Sequence, residues 1–119
     1  MNKKEELLNK IVEIVAQCCS QEDDITSDNL ISLSRSENLV MSRCILVSML
    51  QMAGFTIGSV SKLLNRTPQA IRNMYNIGFD FRKVSHAYRI AEAEATIKVN
   101  ELIGKEKENN SKETDEKHQ

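Results

Sequence analysis

Proline occurs once and glycine four times in 119 residues, too few turn residues for a β-rich fold of this length, because hairpins and sheet corners draw on both. Aromatic residues make up 4% and tryptophan is absent. The core must therefore be built from Leu, Ile, Val and Met, which suit packed helices better than facing sheets. The length is enough for one domain with a modest core and too short for two ordinary ones. The expectation is an all-α fold: a small bundle of about five helices with a central helix-turn-helix and a long C-terminal helix.

Apolar spacing fills in that outline. From Glu5 to Cys19, the positions of Leu8, Ile11, Val12, Val15 and Cys19 recur at three and four residues, as on one face of a helix. A polar stretch, "SQEDDITSDN", follows, in which Ser27 or Asp28 can cap a short turn around Leu30. After the polar "SLSRSEN", Asn38 can cap a helix from Leu39 to Ala53 that is apolar on most sides, with Gly54 as its stop. That helix belongs at the centre of the fold.

Next come two short helical patterns. Thr56 caps the first, with Val60, Leu63 and Leu64 inward; Asn65 and Arg66 turn the chain; Thr67 and Pro68 open the second, with Ile71, Met74 and Tyr75 inward and Gly78 at its end. The last helix is expected from about Asp80 to Ile103, with Val84, Tyr88, Ala91, Ala95, Val99 and Leu102 in one stripe. Residues 1–104 thus read as the helical domain, and 105–119, which contain no apolar residue, as a disordered charged tail.

A net charge of −1 conceals segregation. Met1 to Ser34 has three Lys against seven acids, a balance of −4, and Ile90 to Gln119 has five Lys against eight acids, a balance of −3. Arg35 to Arg89 has eight basic residues against Glu37 and Asp80 alone, a balance of +6. The basic part is the part that holds the two short helices, and no acidic residue lies between Thr56 and Ile77. A surface pressed against phosphates requires that absence.

The run Thr56–Asn76, "TIGSVSKLLNRTPQAIRNMYN", also fits a helix-turn-helix. Ser61 is the small residue where two helices would cross, flanked by Val60 and Leu64, and Ile71 and Met74 form the inner face of the second helix. Gln69, Arg72, Asn73 and Asn76 face outward from its first turns. Arg pairs with guanine O6 and N7, and Gln or Asn with adenine N6 and N7. The expected function is sequence-specific binding of double-stranded DNA, with these four residues reading bases and Lys62, Arg66 and Thr67 holding the backbone. An ordinary helical corner would share the small residue at the crossing, and Arg72 would then be a solvated side chain.

From about Ile11 to Arg89, roughly two-thirds of the chain, the order "IVEIVAQCC", "SDNLISLSRSENLVMSRCILVSMLQMAG", "TIGSVSKLLNRTPQAIRNM" resembles the C-terminal DNA-binding domain of the bacterial replication initiator DnaA, a member of the Trp-repressor-like helix-turn-helix group. The resemblance implies that Arg35, in the basic loop, and Arg43, near the start of the long helix, touch phosphates or the minor groove. The family's GRDHTTV-like run is here "NRTPQAI", one residue tighter, with Thr67 and Pro68 in place of the Asp and His. No GxxxxGK[ST] loop is present. The implied role is therefore a transcriptional regulator or a replication or mobile-element accessory factor rather than an initiator.

Other function classes find little purchase. His86 has no partner set for catalysis and His118 lies in the tail, so no enzyme activity, cofactor or small-molecule substrate is expected. Three cysteines without a CxxC pair (Cys18, Cys19 and Cys44) suit reduced thiols in the cytoplasm, not a disulfide framework or a metal site. The most apolar run, Cys44 to Phe55, is too short to span a bilayer, so no membrane partner is expected. The alternative to DNA binding is a protein-interaction module built on the long C-terminal helix. Its stripe either pairs with a second copy, giving a homodimer, or folds back on the N-terminal helix.

Overall fold

The computed structural model describes residues 3–19, 25–32 and 37–118. Among these the fold is all-α, with six helices: α1 (Lys3–Cys19), α2 (Ser27–Leu30), α3 (Glu37–Met52), α4 (Ile57–Leu64), α5 (Pro68–Val84) and α6 (His86–His118). Helix α3 is the axle. Ser42 through Leu50 are buried without a break, and α3 packs against every other helix. Ile11, Val12 and Val15 of α1, Val60 and Leu64 of α4, Ile71 of α5, and Tyr88, Ala95 and Val99 of α6 close around it. Each such aliphatic side chain contributes about 1.5–3 kcal/mol by leaving water.

Local signals set the boundaries. Helix α3 ends in a Schellman motif: the Phe55 N–H donates to the Leu50 carbonyl and the Gly54 N–H to that of Gln51, both at 3.0 Å, with Gly54 at φ +93°. Helix α2 is capped by Thr26, one residue before the expected Ser27 or Asp28, through a box in which the Asn29 N–H donates to Thr26 Oγ1 and the Thr26 N–H to Asn29 Oδ1. Helix α3 begins at Glu37, so Asn38 lies inside it rather than capping it.

The largest departure from expectation is at Gly78. It does not end α5, which continues to Val84; the break comes at Ser85, whose hydroxyl accepts from the Tyr88 N–H at 3.1 Å and starts α6. Gly78 serves packing instead. A Cβ there would stand 2.8 Å from the Tyr88 hydroxyl and 3.8 Å from Cys44 Cβ. The missing side chain lets α5 approach α3 and α6 closely. Because the break falls after Val84, that residue turns out of the stripe and is 81% exposed, while Tyr88, Ala95 and Val99 are buried.

The rest of the stripe folds back on α1 and α3 and is used up inside the domain. Helix α6 also runs past Gly104 to His118, where a disordered tail was expected. Its 33 residues would span about 50 Å at helical rise, close to the 53 Å longest dimension of the protein. Lys and Glu are good helix formers, and Leu102, Ile103 and a 3.8 Å Lys10–Glu106 ion pair fasten the helix just before and after Gly104. No helix among the described residues is long and apolar enough to cross a membrane.

Gly78→Ala should lower stability by about 1–2 kcal/mol despite better helix propensity, because the Tyr88 hydroxyl is buried and cannot step aside. Urea denaturation of Gly78→Ala and of Gly78→Ala/Tyr88→Phe measures this. The second variant should recover most of the loss, since it removes the oxygen that the new methyl meets.

Candidate nucleic-acid interface

The turn between α4 and α5 consists of Asn65, Arg66 and Thr67, and each has a local reason for its conformation. Asn65 takes the left-handed conformation, φ 50° and ψ 50°, which Asn tolerates better than most residues. Ser61 lies where α4 meets α5; its hydroxyl donates to the Arg66 carbonyl, and its own carbonyl accepts from the Arg66 N–H at 3.1 Å. Thr67 caps α5 by accepting from the Ala70 N–H at 3.1 Å, and Pro68 occupies the first helical position. Proline has no N–H, and the Ile71 N–H bonds the Thr67 carbonyl. The Gln69 N–H is left as the first-turn amide that points outward without an intrahelical acceptor.

Beyond this turn, α5 has two unlike faces. Ile71, Met74, Tyr75 and Gly78 pack inward, with Tyr75 edge-on to Phe79 at 5.2 Å. Gln69, Arg72, Asn73 and Asn76 are all exposed, and their spacing of three, four and seven residues puts them on one outer face. Gln69 Nε2 donates to Asn73 Oδ1 at 3.1 Å, which holds two of the four in register. Lys62 is exposed on α4 and Thr67 at the turn. Arg66 is half-buried, with its Nε enclosed and without a hydrogen-bond partner. Among the described residues, Lys62, Arg66 and Arg72 form no ion pair.

The resemblance also sets Arg35 and Arg43 against the DNA. Arg35 lies outside the described residues. Arg43 is not at the surface at all: it is 1% exposed. Its Nε donates to the Leu30 carbonyl at 2.8 Å, and one Nη donates to the carbonyls of Asn29 at 3.1 Å and Ser32 at 2.6 Å. The guanidinium thus satisfies the open carbonyls at the end of α2, where a cation also suits the helix dipole. Burial first, then the nearby Arg66 charge, lower its pKa from the usual arginine value, yet arginine starts high enough to stay charged. It braces α2 against α3 and has no free edge for a phosphate. A side chain bonded thirteen residues back leaves no periodic trace, so sequence spacing could not reveal it.

Of the cations that follow on α5 and α6, Arg82, Lys83 and Arg89, two have internal work. Arg82 makes a two-pronged ion pair with Glu92 across the α5–α6 junction and lies over the Phe79 ring at 4.8 Å. Arg89 Nη1 donates to the Arg82 carbonyl at 2.8 Å. The hydrogen bond that Arg82 donates to Glu92 raises its pKa further. Cys18 and Cys44 are buried and Cys19 half-buried, all as free thiols, and burial pushes Cys44 up to about 11. Such a thiol is neutral and unreactive. Among the described residues no group of His, Cys, Asp and Glu could hold a metal ion.

No protein-family model, curated protein or solved structure matches the chain.

Arg43→Met should cost about 2–3 kcal/mol of stability by urea denaturation, because it leaves buried carbonyls at the end of α2 without donors. A surface phosphate contact would leave the denaturation midpoint where it was.

Proposed function

We propose that the chain is a sequence-specific double-stranded DNA-binding protein in which α4 and α5 form a helix-turn-helix and the first turns of α5 enter the major groove. The observation that carries this reading is the outer face of α5. It presents Gln69, Arg72, Asn73 and Asn76 together at the start of a helix, and the segment from Thr56 to Ile77 contains no acid to repel a phosphate backbone. Gln69, Arg72 and Asn73 read base edges, and Asn76 extends the same face one turn on. Lys62, Arg66 and Thr67 hold the backbone, joined by the Gln69 N–H at the positive end of the helix. Arg66 fits that task because its guanidinium forms no ion pair among the described residues.

The likeness to the initiator's DNA-binding domain supports the same class. Transcriptional regulation, or an accessory part in replication or in a mobile element, is the proposed setting, in the cytoplasm. The protein-interaction reading loses the stripe on which it rested, since Tyr88, Ala95 and Val99 are buried in the core. Self-association through α6 keeps one favourable observation: Ile90 and Ile97, seven residues apart on the opposite face, are 51% and 61% exposed. A homodimer paired there would bring two reading helices to one duplex and favour a palindromic target.

Fluorescence anisotropy across a salt series tests the assignment. Arg72→Ala should cost roughly 1–3 kcal/mol on the preferred duplex and relax selectivity at one base pair. Lys62→Ala should weaken all duplexes alike and reduce the salt slope by about one phosphate's worth. Unchanged affinity and preference in Arg72→Ala would remove α5 from the groove.

A further inference from the structure

One side of α6 takes no part in the core. His86, Ile90, Ala93, Ile97, Asn100 and Gly104 follow one another at alternating steps of four and three residues, the spacing of a coiled-coil seam. All six are exposed, Ile90 at 51% and Ile97 at 61%. The opposite side of the same helix, with Tyr88, Ala95 and Val99, is buried against the other helices. Isoleucine seven residues apart, at the position where β-branched side chains favour two strands, gives the seam its apolar part.

The flanks of the seam define what can lie on it. Arg89 stands on one flank, Glu94 on the other. Arg89 gives one Nη1 N–H to the Arg82 carbonyl, and neither Arg89 nor Glu94 enters an ion pair among the described residues. In a second α6 laid parallel and in register, Arg89 faces the partner's Glu94 five residues on, and two-fold symmetry makes that pair twice. Asn100 then meets its own copy, a polar match that fixes register. Laid antiparallel, Glu94 would face the partner's Glu94, and Asn100 would be set against the partner's Ile90. Like charge opposite like charge, and an amide buried against hydrocarbon, both count against that arrangement.

We propose that α6 pairs in parallel and in register with a second copy of this chain, through Ile90, Ala93, Ile97 and Asn100, with Arg89 and Glu94 joined across both flanks. This deepens the self-association through α6 raised above and rests on it. The seam from His86 to Gly104 is about 28 Å long at helical rise, a small interface that forms a reversible dimer. Because α5 runs into α6 at Ser85, a parallel pair brings both α5 helices to one end of the dimer. That placement matters to DNA through the proposed role of α5; the pairing itself does not depend on it.

Sedimentation equilibrium of the full chain over roughly 5–500 µM, a span suited to a small interface, should show monomer and dimer in exchange. Ile97→Glu, at an exposed position and so without cost to the fold, should leave a monomer. Glu94→Arg should weaken the dimer about fivefold or more, and Arg89→Glu/Glu94→Arg should restore it. Orientation is read from Asn100→Cys under mild oxidation. Parallel pairing brings the two new thiols together and yields a disulfide-linked dimer, whereas antiparallel pairing parts them by about 15 Å. Adding Ile97→Glu should abolish the link, and the native chain, with Cys18 and Cys44 buried and Cys19 half-buried, should give none. A monomer at every concentration would defeat self-association itself. A dimer that survives Ile97→Glu, is not restored by the charge exchange, or gives no link at Asn100→Cys would overturn the parallel pairing and leave self-association to another face or orientation.

Discussion

The burial of α3 on all sides governs everything else in this protein. A helix with buried residues at nine successive positions, Ser42 to Leu50, cannot exist without neighbours on every face. Each of the other five helices among the described residues packs against it. Its buried charge is answered from within, by the carbonyls at the end of α2 that accept from Arg43. The position of α5 follows from the same constraint. Gly78 brings its backbone close to Cys44 of α3 and Tyr88 of α6, and its outer face is what remains once the inner face is committed.

Charge follows the same division of labour. Acidic and mixed-charge segments form α1 and α6, which pack against each other and include the Lys10–Glu106 pair. The basic middle contributes α4, α5 and their turn. Of its cations, Arg43 and Arg82 are spent inside the protein, one on carbonyls and one on Glu92. Lys62, Arg66 and Arg72 remain outside ion pairs among the described residues. They lie on or beside the face that carries the polar side chains of the reading helix. Charge balance counted along the chain overstates the positive surface; the cations left after internal pairing are the ones available to a polyanion.

Local signals were legible in the sequence wherever one residue's conformation or one helix's period was enough. Gly54 as a stop, Asn65 and Arg66 in the turn, Thr67 as a cap and Pro68 at the first helical position all depend on contacts within a few residues. So does the outer face Gln69–Arg72–Asn73–Asn76, which is a matter of helical period alone. What could not be read was long-range. Gly78 resembles a helix stop because glycine often is one, and only the approach of Tyr88, ten residues on, makes it a packing residue. The true break at Ser85 carries neither Gly nor Pro. Arg43 resembles a surface cation until α2 is placed beside it.

Selection of bound duplexes from a random-sequence pool near physiological salt, with Arg72→Ala/Asn73→Ala alongside, tests the central claim most directly. An enriched motif that degrades in the double variant is the result expected of a protein that reads bases through α5. Retention of duplexes without enrichment, or a motif identical in the variant, would contradict it.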